Sequence, residues 1–270
     1  MVVQHNMQAA NANRMLGMNV KAVSKSTEKL SSGYKVNRAA DDAAGLSISE
    51  KMRNQIRGIN QAVSNSEDGQ YLIQTAEGNM NEIHSILQRM GELATKAAND
   101  VNASDDRNAI QDEINQLASE IDSISSKAQF NGTYLLNGSV AALKLQVGAN
   151  EGEEMVVSLD KIDAAELGVN ALDMSSHDNA GTAMTAVTAA VKKVSEKRSM
   201  MGAIQNRLDY TINNLENYSE NLTSSESNIR DTDMATEMVN YSKNNILQQA
   251  AQSMLAQANQ SNQGVLSLLQ

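Results

Sequence analysis

The sequence predicts a mainly α protein: a long antiparallel helical bundle or coiled coil carrying a small β-hairpin region. Three observations predict it. Proline, which costs about 3 kcal/mol inside a helix, is absent from all 270 residues. Aromatic residues make up only 3% of the chain, with no Trp and one Phe, while 41% is hydrophobic. A core of Leu, Ile, Val, Met and Ala suits helices zipped lengthwise. Third, apolar residues recur in alternating steps of four and three, the period of helices packed along one another.

The first such register is Leu16, Val20, Val23, Thr27, Leu30 and Tyr34. Gly33 reads as its stop, and Asp41 and Asp42 as candidate N-caps for a helix beginning near Ala43. A second register runs Ile73, Ala76, Met80, Ile83, Leu87, Met90, Ala94. The turn-rich stretch Asn99–Ser104 breaks it, and Asp105 and Asp106 stand at the start of the next helix. That helix carries Ile110, Ile114, Leu117, Ile121, Ile124 and Ala128.

After Phe130 the period changes. Asn131-Gly132 and Asn137-Gly138 are turn dipeptides. Leu143, Leu145 and Val147, then Met155, Val157 and Leu159, alternate with other residues, as in a β-hairpin. Residues 160–180 read as acidic and irregular. The last long register starts at Met184 and passes Val187, Val191, Val194, Arg198, Met201, Gln205, Leu208, Ile212, Leu215, Ser219 and Leu222. Its polar members Arg198, Gln205 and Ser219 suit a helix that meets several neighbours rather than one.

The two ends are unlike the rest. Residues 244–270 hold no charged side chain, and 11 of these 27 positions are Asn or Gln. Residues 1–20 carry only Arg14 and His5 as basic groups and no acid. Yet Leu247, Ala251, Met254, Ala258, Ser261, Val265 and Leu268 keep the four-three register. A helix facing water normally carries charges on its outer face. Amides there instead point to a helix enclosed by other protein. The ends are expected to pair with each other and with copies from neighbouring subunits, and to be disordered before assembly, because alone they bury too little to offset chain entropy.

Other functions find little support. The net charge of −10 opposes non-specific nucleic-acid binding. No apolar run is long enough to span a membrane, and the start of the chain does not have the pattern of a cleaved secretion signal. Cysteine is absent. His5, His84 and His177 are scattered, and no phosphate loop or metal-protease motif occurs, so the expectation is a non-enzyme without cofactor or metal. The methionines, 15 in all, read as adaptable core packing.

The stretches that carry identity are Leu30–Gly58, Gln205–Leu215, Ile229–Ala235, Lys243–Ala250 and Met254–Gln260. The first resembles the N-terminal signature of the bacterial flagellins, and the others resemble their C-terminal signature. The resemblance covers roughly 1–138 and 181–270. It implies an extracellular subunit that polymerises with itself into the flagellar filament for swimming, exported without a cleaved signal peptide. It implies an inner coiled-coil domain of residues 1–35 plus 233–270, connecting spokes of 36–44 plus 223–232, and an outer bundle of 45–222 with its β region at about 131–160. Large variable outer domains are expected to be missing. On this reading Leu247, Ala251, Met254, Ala258, Val265 and Leu268 form the polymerisation core. Implied partners are an export chaperone on the C-terminal segment and the cap and hook–filament junction proteins. Leu87–Lys96 resembles the segment through which many flagellins are detected by Toll-like receptor 5, with Arg89, Leu93 and the supporting Glu113 matching, while Gly91 and Lys96 depart. Two other readings are a hook–filament junction protein and a coiled-coil binding adaptor that forms small closed oligomers.

Overall fold

A computed structural model describes residues 6–267. The elements are α1 (Met7–Ser32), α2 (Ala43–Ala97), α3 (Ser104–Lys127), β1 (Gln129–Phe130), β2 (Thr133–Tyr134), β3 (Ala142–Gln146), β4 (Glu154–Ser158), α4 (Ala164–Leu167), α5 (His177–Arg230) and α6 (Met234–Ser267). The chain divides into two units. One is drawn from its two ends, up to Asn54 and from Glu220 on; the other is Gln55–Ser219.

The central unit holds the large core. Along α2, Ile59, Ala62, Ser66, Gly69, Ile73, Ala76, Met80, Ile83, Leu87, Met90, Ala94 and Ala97 are all buried, in unbroken steps of three and four. This extends the expected stripe in both directions. On α3 the buried residues are Ile110, Ile114, Ala118, Ile121 and Ser125, with Leu117 and Ile124 partly buried. On α5 the stripe is broader than the expected register. Ala180, Ala183, Ala190 and Ile204 are buried, whereas Met184 and Val191 are only partly so. Small alanines let neighbouring helices approach, so the fit rests on them as much as on the larger residues.

The polar members of the α5 register pair across to α2. Glu77 accepts a hydrogen bond from Gln205 at 3.2 Å and lies 3.5 Å from the Arg198 guanidinium. Ser219 donates to Asn60 at 2.9 Å. These pairs satisfy groups that would otherwise lose water on packing.

Asn131 (φ 48°) and Gly132 (φ 80°) form the two-residue turn between β1 and β2. Both are left-handed, as the tight hairpin turn requires. β3 and β4 pair antiparallel with Leu143 opposite Val157 and Leu145 opposite Met155. Gly69 on α2 has no side chain where Leu145 rests, so the hairpin lies close on the helix. The segment expected to be irregular holds only the short α4 before α5 begins at His177, and it closes the core. Ile162, Ala164, Leu167, Val169, Leu172 and Met174 are buried, and Asp163 caps the short α4 by accepting from the Glu166 amide at 2.8 Å.

Candidate assembly surface

In the terminal unit α1 and α6 run antiparallel. Asn6 donates to the Ala258 carbonyl at 3.0 Å, and Lys29 lies 3.8 Å from Glu237 at the other end. Half-buried or buried positions on α1 include Ala9, Ala12, Leu16, Asn19, Val23, Ser26 and Leu30, and on α6 Glu237, Tyr241, Asn244, Gln248, Ala251, Leu255 and Ala258. Both sets step by three and four. This seam differs from the expected registers. Val20 and Thr27 are exposed, and Asn19 and Ser26 take their places.

The same shift divides the expected polymerisation residues. Ala251 and Ala258 lie in the seam, while Leu247 is 43% and Met254 63% exposed. Leu268 lies outside the described residues, and so does the side chain of Val265. The physical reason is that the lower half of α6 has apolar residues on more than one face. Two overlapping stripes share Ala251 and Ala258, and α1 covers only one of them. The uncovered stripe includes Leu247 and Met254, Ile246 beside it is exposed, and on α1 Met7, Met15, Met18 and Val20 are also exposed. Met15 and Met254 line a groove of about 490 Å³ together with Ala12, Ala251 and Ala258 and the polar Gln8, Asn11, Gln257 and Ser261.

Where α1 ends, the two family-resembling stretches meet. Gly33 (φ 76°) stops α1 by donating to the Lys29 carbonyl at 2.8 Å. The Lys35 amide then donates to the Arg230 carbonyl at 2.7 Å, and the Thr232 amide to the Gly33 carbonyl at 2.9 Å. Arg230 stacks over the Tyr34 ring at 4.6 Å and Arg53 at 5.7 Å. Glu50 accepts from Arg230 at 2.8 Å, and Glu226 lies 3.5 Å from Arg53. Sequence reading found these stretches but not this cluster, because the partners stand up to 196 positions apart (Arg230 − Tyr34). α5 runs as helix through Arg230, so 223–230 continue it.

The two acids before α2 differ in role. Asp42 caps it, accepting from the Gly45 amide at 2.9 Å. Asp41 instead accepts from the amides of Asn37 and Arg38 and pairs with Lys25 at 2.8 Å. The Lys25 hydrogen bond holds the Asp41 carboxyl at about 2. With its folded pKa depressed, this tie is complete above the usual carboxylate range and is lost as pH falls through about 2.

At the expected receptor segment, Arg89 and Glu113 come together. Glu113 Oε1 accepts from Arg89 Nε at 3.1 Å and from a terminal nitrogen at 2.9 Å, and Glu92 accepts from the other nitrogen at 3.1 Å. These hydrogen bonds, Glu113 first, raise the Arg89 pKa. Leu93 departs from the expectation: it is 3% exposed and belongs to the core. A Cβ at Gly91 would meet Val187 at 3.6 Å, so that position faces α5 rather than the Arg89 surface.

Comparison with known proteins decides the family. Residues 3–141 match the bacterial flagellin N-terminal helical region, and 184–269 the bacterial flagellin C-terminal helical region. The chain belongs to the bacterial flagellins. It is 53% identical over 271 residues to a flagellin of Halalkalibacterium halodurans, with both chains fully covered. A Bacillus subtilis flagellin is 46% identical over 303 residues, again across both full chains. The crystal structure of Bacillus cereus flagellin shares 30% identity at a TM-score of 0.50, covering 56% of this chain and 88% of that one. A putative flagellar hook-associated protein of Vibrio parahaemolyticus has a TM-score of 0.61 at 15% identity, covering 71% of this chain and 100% of that one. That likeness is one of fold alone.

Proposed function

We infer that this flagellin is a structural subunit that polymerises into the extracellular flagellar filament through its terminal helices. The observation that carries the reading is the pairing of two features on α6: no charged residue from 244 on, and an apolar stripe that α1 leaves uncovered. An isolated α1–α6 pair exposes Met15, Leu247 and Met254 to water, whereas copies packed side by side remove them from it. Full-length identity to flagellins favours the filament over a hook–filament junction role. Purified monomer added to filament fragments is expected to lengthen them into helical filaments under the electron microscope. Small closed oligomers with no growth would instead support the adaptor reading.

Export without a cleaved signal peptide, and capture of 225–270 by an export chaperone before secretion, belong to the same reading. So does assembly against the cap and hook–filament junction proteins. They rest on the family and on the uncharged, apolar end, which needs covering before assembly.

Detection of the monomer by Toll-like receptor 5 is a further part of the proposal. It rests on exposed Arg89, held in a fixed orientation by Glu113 and Glu92. Leu93, being buried, contributes by packing the helix rather than by contact. Arg89→Ala is expected to weaken receptor binding by about 2 kcal/mol, the scale of an interface anchor. Unchanged affinity would remove Arg89 from the site.

A further inference from the structure

Exposed methionine is concentrated in the terminal unit. In the central unit Met80, Met90, Met155, Met174 and Met201 are buried, Met184 is partly buried and Met200 is 43% exposed. In the terminal unit, 6 of the 11 exposed large apolar side chains among the described residues are methionines. They are Met7, Met15, Met18, Met234, Met238 and Met254, from 47% to 74% exposed. Both terminal helices contribute, and Met15 and Met254 face the same groove. Leucine, isoleucine or valine would serve apolar contact equally well. The thioether alone adds a chemistry those side chains lack: it takes up an oxygen atom under mild conditions.

We propose that these six methionines form a peroxide-reactive modification site that controls assembly. Oxidation of the free monomer blocks its addition to a filament, and addition shields the site from oxidant. The inference rests on the reading that copies of this chain meet through the terminal helices.

The chemistry balances with hydrogen peroxide as the oxidant. A sulfur lone pair attacks one peroxide oxygen, an S–O bond forms and the O–O bond breaks. The departing oxygen leaves as water after taking up the proton carried by the transferred oxygen. Sulfur loses two electrons, and peroxide gains them. The product sulfoxide is polar and chiral, and methionine sulfoxide reductases return it to the thioether. Between packed helices, its oxygen must surrender water, which costs free energy unless a donor replaces it. At the groove, Ala12, Ala251 and Ala258 have no side-chain donor to offer, and Gln8, Asn11, Gln257 and Ser261 would each have to turn from water or a present partner to meet the sulfoxide. The core methionines are closed to peroxide in the folded central unit, so the modification should leave that unit standing.

The test uses the full chain. Monomer and filament receive the same dose of hydrogen peroxide and are mapped by peptide mass spectrometry. The monomer should gain oxygen at the six positions before Met80, Met90 or Met174, and the filament should not gain it there. Growth of untreated seeds by oxidised monomer should slow at least roughly tenfold, since polar sulfoxides would replace apolar thioethers in the contact between copies. Treatment with methionine sulfoxide reductases should restore it. A Met15→Leu, Met18→Leu, Met238→Leu, Met254→Leu chain should grow after peroxide faster than oxidised native monomer. Native-rate growth by monomer shown to carry the six sulfoxides overturns the proposal while leaving assembly through these helices intact. Slow growth that reductases do not reverse also overturns it, because the damage then lies elsewhere, and this arm decides the matter if the leucine chain does not grow untreated. Failure of untreated native monomer to lengthen seeds overturns the assembly reading and this proposal together.

Discussion

A chain ending at Thr232 will not lengthen filament seeds, and its central unit will melt as cooperatively as in the full chain. The deletion removes all of α6, so α1 loses its whole seam from Glu237 to Ala258 and the uncovered stripe disappears with it. Nothing in the core cluster of the central unit lies beyond Leu208. Its stability should therefore change by less than about 1 kcal/mol, the range of substitutions remote from packed residues. Elongation, in contrast, should fall below detection. Electron microscopy after seeding and thermal melts followed by circular dichroism report the two effects separately. The same truncation should abolish binding of an export chaperone, because all but 225–232 of its proposed target is removed. Filaments of native length from the truncated chain would place the assembly contacts elsewhere. Loss of the cooperative melt would show that the central unit depends on the ends.

The parts of the fold that rest on one strong periodic signal were legible in the sequence. The α2 stripe from Ile73 to Ala94 is buried throughout, because every register position there is apolar and meets the same core. Asn131-Gly132 makes a tight turn because few other pairs tolerate positive φ at both positions. Gly33 stops α1 for a similar reason. The terminal registers were less legible. On α6 apolar, small and amide residues surround the helix, so periodicity alone offered two stripes and could not select the one that α1 covers. Leu93 was misplaced because the resemblance of Leu87–Lys96 matches residues without regard to their burial. Near the end of α2 the buried face widens to include Met90, Leu93, Ala94 and Ala97, and a four-residue step no longer guarantees a shared exposed face. Segment 160–180 has no period at all, yet Ile162 and Met174, from irregular backbone, and Leu167, from the short α4, fill the core. The Tyr34–Arg53–Arg230 cluster joins distant parts of the chain, where local pattern carries no information.

Before assembly, the amides of α1 and α6 will exchange with solvent nearly as fast as in an unfolded peptide; in the filament they will be strongly protected. The buried residue of α1 is Ser26 and that of α6 is Glu237, and the remaining seam positions are only half-covered. Ordering each residue costs about 1–2 kcal/mol of backbone entropy. Alanines and amides, interleaved with only half-buried Leu16, Val23, Leu30 and Leu255, offset little of it. Neighbouring copies would cover Met15, Met18, Leu247 and Met254 as well, enclosing helices whose outer faces carry no charge beyond residue 244. The slowing on assembly should therefore reach at least roughly a thousandfold, the range separating frayed segments from packed ones. In the central unit, amides along Ile73–Ala94 should be protected in both states. Hydrogen exchange followed by mass spectrometry, peptide by peptide on monomer and filament, measures this directly. The account predicts that protection of α1 and α6 appears only with assembly; equal protection of both helices in monomer and filament would contradict it.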